Sequence, residues 1–129
     1  MTVATQSPLT QLGDDVAQCI ALCQDAHRTC VRTFTHCSRR GGLHGEPQHL
    51  RLLLDCAQIC QTSADFLLRG SDLYNYPCGV CAYICDRCAD DCESIAAGDP
   101  LMAQCIRACR DCAHHCLHIS KARKIASPS

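Results

Sequence analysis

The chain has 129 residues, with 12 basic and 13 acidic side chains and a formal net charge of −1. This length suits one domain (1–129) with a modest core, and evenly mixed charges without a basic stripe argue against a nucleic-acid partner. The anomaly is cysteine, at 15 of 129 residues, a share typical of disulfide scaffolds and metal sites.

The first predicted helix spans residues 8–40. Its cysteines are four or seven residues apart, a spacing that keeps them on one helix face together with Leu12 and Val16. These cysteines are Cys19, Cys23, Cys30 and Cys37. Gly41 and Gly42 then end the helix.

The second predicted helix spans 47–69 and begins with Pro47, a residue favoured in the first helical turn. Its face carries two cysteines flanked by other residues at the same spacing. In chain order the residues of this face are His49, Leu53, Cys56, Cys60, Ser63 and Leu67. Gly70 ends the helix.

The third predicted helix, 75–97, contains the densest run, PCGVCAYICDRCADDC, with gaps of 3, 4, 3 and 4 between cysteines. These are a and d positions of a heptad, which normally carry Leu, Ile or Val. Here they are Cys78, Cys81, Cys85, Cys88 and Cys92.

The fourth predicted helix, 100–124, follows Asp99, a good helix cap, and begins with Pro100. Its face runs from Met102 to Ile119 through Cys105, Cys109, Cys112 and Cys116. Short linkers favour antiparallel neighbours. The pattern therefore predicts an all-α, up-down-up-down four-helix bundle with a cysteine-lined core.

The N-terminal stretch MTVATQSPLTQLGDD has neither the cationic nor the apolar region of a secretory signal. No apolar run approaches the length of a membrane span. We therefore expect no membrane association and a cytoplasmic location, where thiols stay reduced.

Several uses of the thiols are conceivable. Buried cysteine as a small hydrophobe explains one or two residues but not fifteen in register. Disulfides within a helix are disfavoured, because neighbouring Cβ atoms on one helix face lie about 5–6 Å apart and a disulfide needs about 3.5–4.5 Å. Disulfides between helices stay possible, although the number of cysteines is odd.

Metal binding relaxes this distance problem, and charge favours one metal. Four Zn(II) ions on fifteen thiolates would leave about seven negative charges in a low-dielectric core. One monovalent ion per bridging thiolate gives a neutral core, and soft thiolates select Cu(I). A general thiolate buffer for Zn(II) or Cd(II) and an Fe–S electron carrier remain the alternatives.

The motifs PCGVCAYICDRCADDC and CIRACRDCAHHC, with RLLLDCAQIC in the second helix, resemble the four-helix-bundle copper storage proteins, specifically their cytosolic branch. The resemblance covers about residues 19–116. It implies storage of many Cu(I) ions by cysteines inside the bundle, and a homotetramer. The chain departs from the family pattern at four positions that often carry cysteine, namely Ala26, Thr33, His49 and Met102.

Because neighbouring helices run antiparallel, the ends of the four cysteine-bearing helix faces gather at two opposite ends of the bundle. An apolar plug is predicted at one end, formed by Leu12, Val16, Leu67 and Ile119. The other end, here called the mouth, gathers Cys37, His49, Met102 and Cys105, and should display weak, exchangeable ligands through which copper passes.

The predicted copper ligands are all fifteen cysteines together with three residues near the mouth, His49, Met102 and His36. A solvated surface position is expected for His44, and a surface or intersubunit position for His114, His115 and His118. The acidic residues Asp55, Asp86, Asp90, Asp91 and Asp111 should face solvent.

No nucleophile, base and orienting carboxylate come together in the sequence, and buried equivalent thiols differ from a single activated cysteine. We therefore expect a binding protein rather than an enzyme. Its expected partners are copper ions, delivered by a copper chaperone or a small-molecule copper carrier.

Overall fold

The computed structural model describes residues 8–95 and 98–126. Four helices make up the fold: α1 (Pro8–Arg40), α2 (Pro47–Leu68), α3 (Asn75–Ile95) and α4 (Pro100–Ala126), with a short 3-10 turn at Gly42–Gly45. The described residues contain no strand. The predicted helix ends agree to within two residues, except that the predicted end of the third helix, at 97, lies outside the described residues.

The helix ends form where the sequence indicates. Gly41 and Gly42 have φ values of 73° and 59°, in the left-handed region that glycine enters at little cost. Asp99 caps α4, because its Oδ1 accepts the backbone N–H of Leu101 at 3.0 Å and of Met102 at 3.3 Å. These local signals define where each helix stops, and hence how the helices align.

Each helix packs against two neighbours: α1 against α2 and α4, and α3 against α2 and α4. This closed antiparallel ring is the predicted up-down-up-down four-helix bundle, which is thereby confirmed. None of the helices in the described part of the chain combines the length and apolarity needed to cross a bilayer.

Sulfur fills most of the core. All fifteen cysteines are buried, and the other large, fully buried side chains include Leu53, Met102 and Ile119. At the end away from the mouth, Leu67 and Ile119 are buried while Leu12 and Val16 pack against the core from α1. The structure thus contains the predicted apolar plug.

The reduced, metal-free protein should already be folded. Protonated cysteine packs as an apolar residue, and the helix caps and the plug do not depend on metal. We expect circular dichroism of anaerobic, chelator-treated protein to show high helix content, with thermal stability rising when metal is added because the ligand binds only the folded state. A random-coil spectrum of the metal-free form would refute this expectation. It would mean that folding requires the metal ion, as it does in zinc fingers.

Candidate metal centre

The thiols touch one another along the bundle axis. All fifteen are free, and pairs of sulfur atoms from different helices lie 3.5–4.0 Å apart. Contacts between α1 and α4 include Cys23 to Cys116 at 3.5 Å, and contacts between α2 and α3 include Cys60 to Cys85 at 3.5 Å. The four faces predicted from the sequence therefore meet in one continuous column of sulfur.

The sulfur column divides into two groups. The plug-side group comprises Cys19, Cys23, Cys60, Cys78, Cys81, Cys85, Cys112 and Cys116. The mouth-side group comprises Cys30, Cys56, Cys88, Cys92, Cys105 and Cys109. A contact of 3.6 Å between the sulfurs of Cys56 and Cys85 joins the two groups.

Several cysteines belong to more than one potential metal site. Cys81 and Cys112 occur both in the set with Cys23 and Cys116 and in the set with Cys60 and Cys85. The ligand atoms within each set lie within 4.8 Å of one another. With metal–sulfur bonds of about 2.3 Å, two sulfurs that share an ion lie about 3.8–4.6 Å apart, from tetrahedral to linear geometry. The column is therefore spaced for bridging metal ions.

Hydrogen bonds between thiols lower the pKa of some cysteines and raise the pKa of others. The bond with Cys109 is the main reason that the pKa of Cys56 is lowered, whereas the bond with Cys105 raises the pKa of Cys30. Burial raises the pKa of Cys37 to about 11, reinforced by the negative charge of Asp99. Because a metal needs the thiolate, loading the column must release protons.

The mouth brings three predicted ligands together. The Cys37 sulfur lies 3.4 Å from His49 Nε2 and donates to the sulfur of Met102 at 3.5 Å. On its other side, His49 Nδ1 donates to the carboxylate of Asp91. This bond fixes the imidazole so that Nε2 faces the thiol, the arrangement that orients histidine ligands in metal sites.

Asp91 was expected on the solvated outer face, and the structure places it there only in part. Its side chain is 32% exposed and bonds the nearly fully buried His49, so it lies between solvent and the ligands. The signal that could have revealed it is its position on α3, next to Cys92 and three residues after Cys88. The other acids Asp86 and Asp90 do lie at the surface, where they accept hydrogen bonds from Arg110.

The mouth is also closed, contrary to the expectation that its ligands are displayed. Cys37 and Met102 are fully buried and His49 is 2% exposed. The Gly42–Gly45 turn packs against α1 and α2 at this end of the bundle. We call this turn, which the sequence presents as a simple connection, the cover.

Asp99 holds this cover in place. Its Oδ2 accepts hydrogen bonds from His36 Nε2 at 2.6 Å and from Arg40 Nη1 at 3.0 Å, and lies 3.3 Å from His44 Nε2. His36 therefore contacts a carboxylate rather than the sulfur column, and its role as a copper ligand stays a prediction. His44, expected at the surface, is buried because the turn folds it onto Asp99.

The remaining histidines lie outside the sulfur column. His27 Nδ1 bonds the carbonyl of Ala57 at 2.7 Å and so joins α1 to α2. His115 bonds the carbonyl of Asp111 in its own helix, and His118 Nε2 bonds Asp15 at 3.2 Å. His114 is exposed. Surface positions for His114 and His118 agree with the sequence expectation.

Comparison with known proteins shows which family this chain matches. A model of the copper storage protein family (Csp) matches residues 10–121. The uncharacterized cysteine-rich protein YhjQ of Bacillus subtilis is 32% identical over 98 residues, which cover 76% of this chain and 89% of that protein.

Solved structures agree. A crystal structure of a protein from Nitrosospira multiformis has 44% identity and a TM-score of 0.80, covering 85% of this chain and 98% of that one. The Cu(I)-bound copper storage protein BsCsp3 has 27% identity and a TM-score of 0.76, with coverages of 82% and 98%. The apo form of copper storage protein 3 from Bacillus subtilis has 28% identity and a TM-score of 0.72, covering 81% of this chain and 97% of that one.

The cover should weaken in acid through Asp99. Burial raises the pKa of this carboxyl, but hydrogen bonds from His36 and from the backbone outweigh burial and lower it from 3.8 to about 2. Its contribution, about 2 kcal/mol, is therefore complete above pH 3.8 and lost as the pH falls to 2. Asp99→Asn, which still caps α4, should lower the free energy of unfolding at pH 7 by about this amount.

Denaturant unfolding at a series of pH values measures the difference between parent and variant. The gap should close toward pH 2, and Asp111→Asn, at an exposed position, should show no such gap. A constant difference across the acid range would contradict the assignment.

Proposed function

Because the chain belongs to the copper storage protein family, we propose that it stores many Cu(I) ions in the cytoplasm, on cysteine thiolates that bridge ions inside the bundle. The observation that carries this proposal is the sharing of ligands. Cys81 and Cys112 each belong to two adjoining sets of four sulfurs, so neighbouring ions must share thiolates. The Cu(I)-bound state of the related BsCsp3 supports the choice of metal.

Charge explains why the stored ion should be monovalent. Fifteen thiolates in a core from which water is excluded cost a great deal of free energy unless cations neutralise them. About one Cu(I) per thiolate neutralises the column, and Cu(I) prefers soft sulfur ligands. The cysteines of both groups and Cys37 are the proposed ligands, with His49 and Met102 added at the mouth.

We propose that the protein is not an enzyme. Its thiols are numerous, buried and alike, whereas a catalytic cysteine is a single activated thiol with access to substrate. His49, which contacts the thiol of Cys37, is buried at the mouth with Met102, which suits a metal ligand.

We propose that copper enters and leaves at the mouth. Asp91 reaches solvent and bonds His49, which in turn faces Cys37. Imidazole and thioether bind Cu(I) more weakly than bridging thiolate, which suits exchange. A copper chaperone or a small-molecule copper carrier is the proposed donor, and the Gly42–Gly45 turn must move aside for transfer.

We also propose a single domain that assembles into a homotetramer, as the family resemblance implies. Tyr76, Val80 and Tyr83 form an exposed apolar stripe on the outer face of α3, at 69%, 49% and 63% exposure. Such a stripe is typical of a protein–protein contact.

A general buffer for Zn(II) or Cd(II) is the second candidate. The set Cys30, Cys56, Cys88 and Cys109 is buried and shares no member with the two four-sulfur sets of the plug-side group. Four convergent thiolates match the tetrahedral preference of zinc. An Fe–S carrier is less well supported, because clusters favour loop backbone amides near the sulfurs, and these cysteines lie on regular helices.

Anaerobic titration with Cu(I) against a competing chelator tests storage directly. We expect a plateau on the order of 15–20 Cu(I) per chain, since bridging lets each thiolate serve more than one ion. The loaded protein should be colourless. A plateau at one to four equivalents would replace storage with a discrete site, and a brown product would indicate an Fe–S cluster.

A parallel Zn(II) titration separates the second candidate. Storage of copper predicts that Cu(I) displaces Zn(II) from the cysteine thiolates, whereas a general buffer should retain thiolate-bound zinc in competition with equimolar Cu(I).

The rate of exchange tests the mouth. Replacing His49 and Met102 together by Leu removes the weak ligands but no thiolate, so capacity should fall by only one or two ions. Stopped-flow uptake and removal by a chelator should both slow by about tenfold or more. His114→Leu, near the opposite end, is the matched control and should load like the parent. If the double variant matches the parent in both rates, copper enters elsewhere.

A further inference from the structure

Three side chains that could bind a metal converge on one point outside the sulfur column. His36 Nε2 and His44 Nε2 lie 2.6 Å and 3.3 Å from Oδ2 of Asp99. The three side chains come from three separate segments, namely α1, the Gly42–Gly45 turn and the residue before α4. The two imidazole rings meet edge to face with centroids 6.1 Å apart.

His44 is the member of this cluster that the fold leaves unexplained. Its side chain is 8% exposed, and its buried Nε2 lies 3.3 Å from Asp99 Oδ2 without forming a well-aligned hydrogen bond. Burying a polar nitrogen without a good hydrogen bond is unfavourable. A metal ion bound between His44 Nε2 and the Asp99 carboxylate would give both groups a strong partner.

We propose that His36, His44 and Asp99 form a binding site for one divalent transition-metal ion of the Zn(II) or Cu(II) class, separate from the cysteines. Two imidazoles and one carboxylate are ligands that these ions accept. Three protein ligands leave a coordination position for water or for a ligand of an incoming carrier. This site goes beyond copper storage, because hard carboxylate and imidazole select a different ion from the thiolate column.

The distances from Asp99 Oδ2 to the two imidazole nitrogens are close to those between ligand atoms around a metal ion, so the side chains need to move little to bind one. Around a tetrahedral metal with bonds of about 2.0–2.1 Å, ligand atoms lie about 3.3 Å apart, which matches the distance from His44 Nε2 to Asp99 Oδ2. His36, whose side chain is 33% exposed, must retreat by less than about 1 Å to reach the same spacing.

Arg40 provides a test that distinguishes a metal site from a hydrogen-bonded cluster. Its guanidinium donates to the same Asp99 oxygen at 3.0 Å, and its side chain is 54% exposed, so it can swing into solvent. A cation that leaves on metal binding competes with the metal. Removing Arg40 should therefore tighten binding, although it would weaken a purely structural cluster.

The probe is Co(II), a spectroscopic substitute for Zn(II), added anaerobically to protein already saturated with Cu(I). The thiolates are then occupied, so cobalt bound at the new site should show weak visible d–d bands without sulfur-to-cobalt charge transfer. One equivalent per chain is expected. Asp99→Asn and His44→Gln should each weaken binding by about tenfold or more, Arg40→Gln should tighten it several-fold, and His114→Gln should leave it unchanged.

The outcomes separate cleanly. Loss of binding in Asp99→Asn and His44→Gln together with a gain in Arg40→Gln supports the site. Copper-loaded parent protein without these d–d bands, or Arg40→Gln with weaker binding, overturns it. Should Asp99→Asn fail to fold by circular dichroism, His36→Gln and His44→Gln carry the same comparison.

Failure of copper storage would not obscure this result. If the bundle does not take up Cu(I), the titration is made on metal-free protein, where charge-transfer bands mark cobalt on thiolates. The proposed site then corresponds to the bands without charge transfer, and only these should disappear in His44→Gln.

Discussion

Fifteen thiols packed against one another in a buried core are the constraint on which the rest of this structure depends. As thiols they are weakly polar and pack like small apolar side chains, so the bundle can close around them. As thiolates they would repel one another in a low dielectric and need cations at close range. The fold therefore suits two states, a protonated column and a metal-filled column, and uptake exchanges protons for metal.

The two ends of the bundle follow from this constraint. At the plug, Leu67 and Ile119 keep solvent from the column without offering a ligand. At the mouth, closure is polar: His49 is held by Asp91, and the turn over Cys37 is held by Asp99. A closure made of hydrogen bonds and ion pairs can open and re-form, since each such contact adds little net stability, whereas opening an apolar plug exposes hydrophobic surface.

Asp99 links helix capping to the chemistry of the mouth. One oxygen caps α4 and so positions Met102, while the other gathers His36, Arg40 and His44. A single carboxylate thereby connects the end of α1, the Gly42–Gly45 turn and the start of α4. A divalent ion at this point would make the same connection more strongly, and the state of the cover would then depend on a second metal.

The sequence by itself determined the helices, their order and the face on which every cysteine lies, because helical period and capping residues act over a few neighbouring positions. The pairing of His49 with Asp91, the burial of His44 and the contact of His36 with Asp99 were decided only by the tertiary structure. Each joins residues far apart in the chain, such as positions 36 and 99. No local pattern encodes which side chains meet when helices of a given length align and a short linker folds back over their ends.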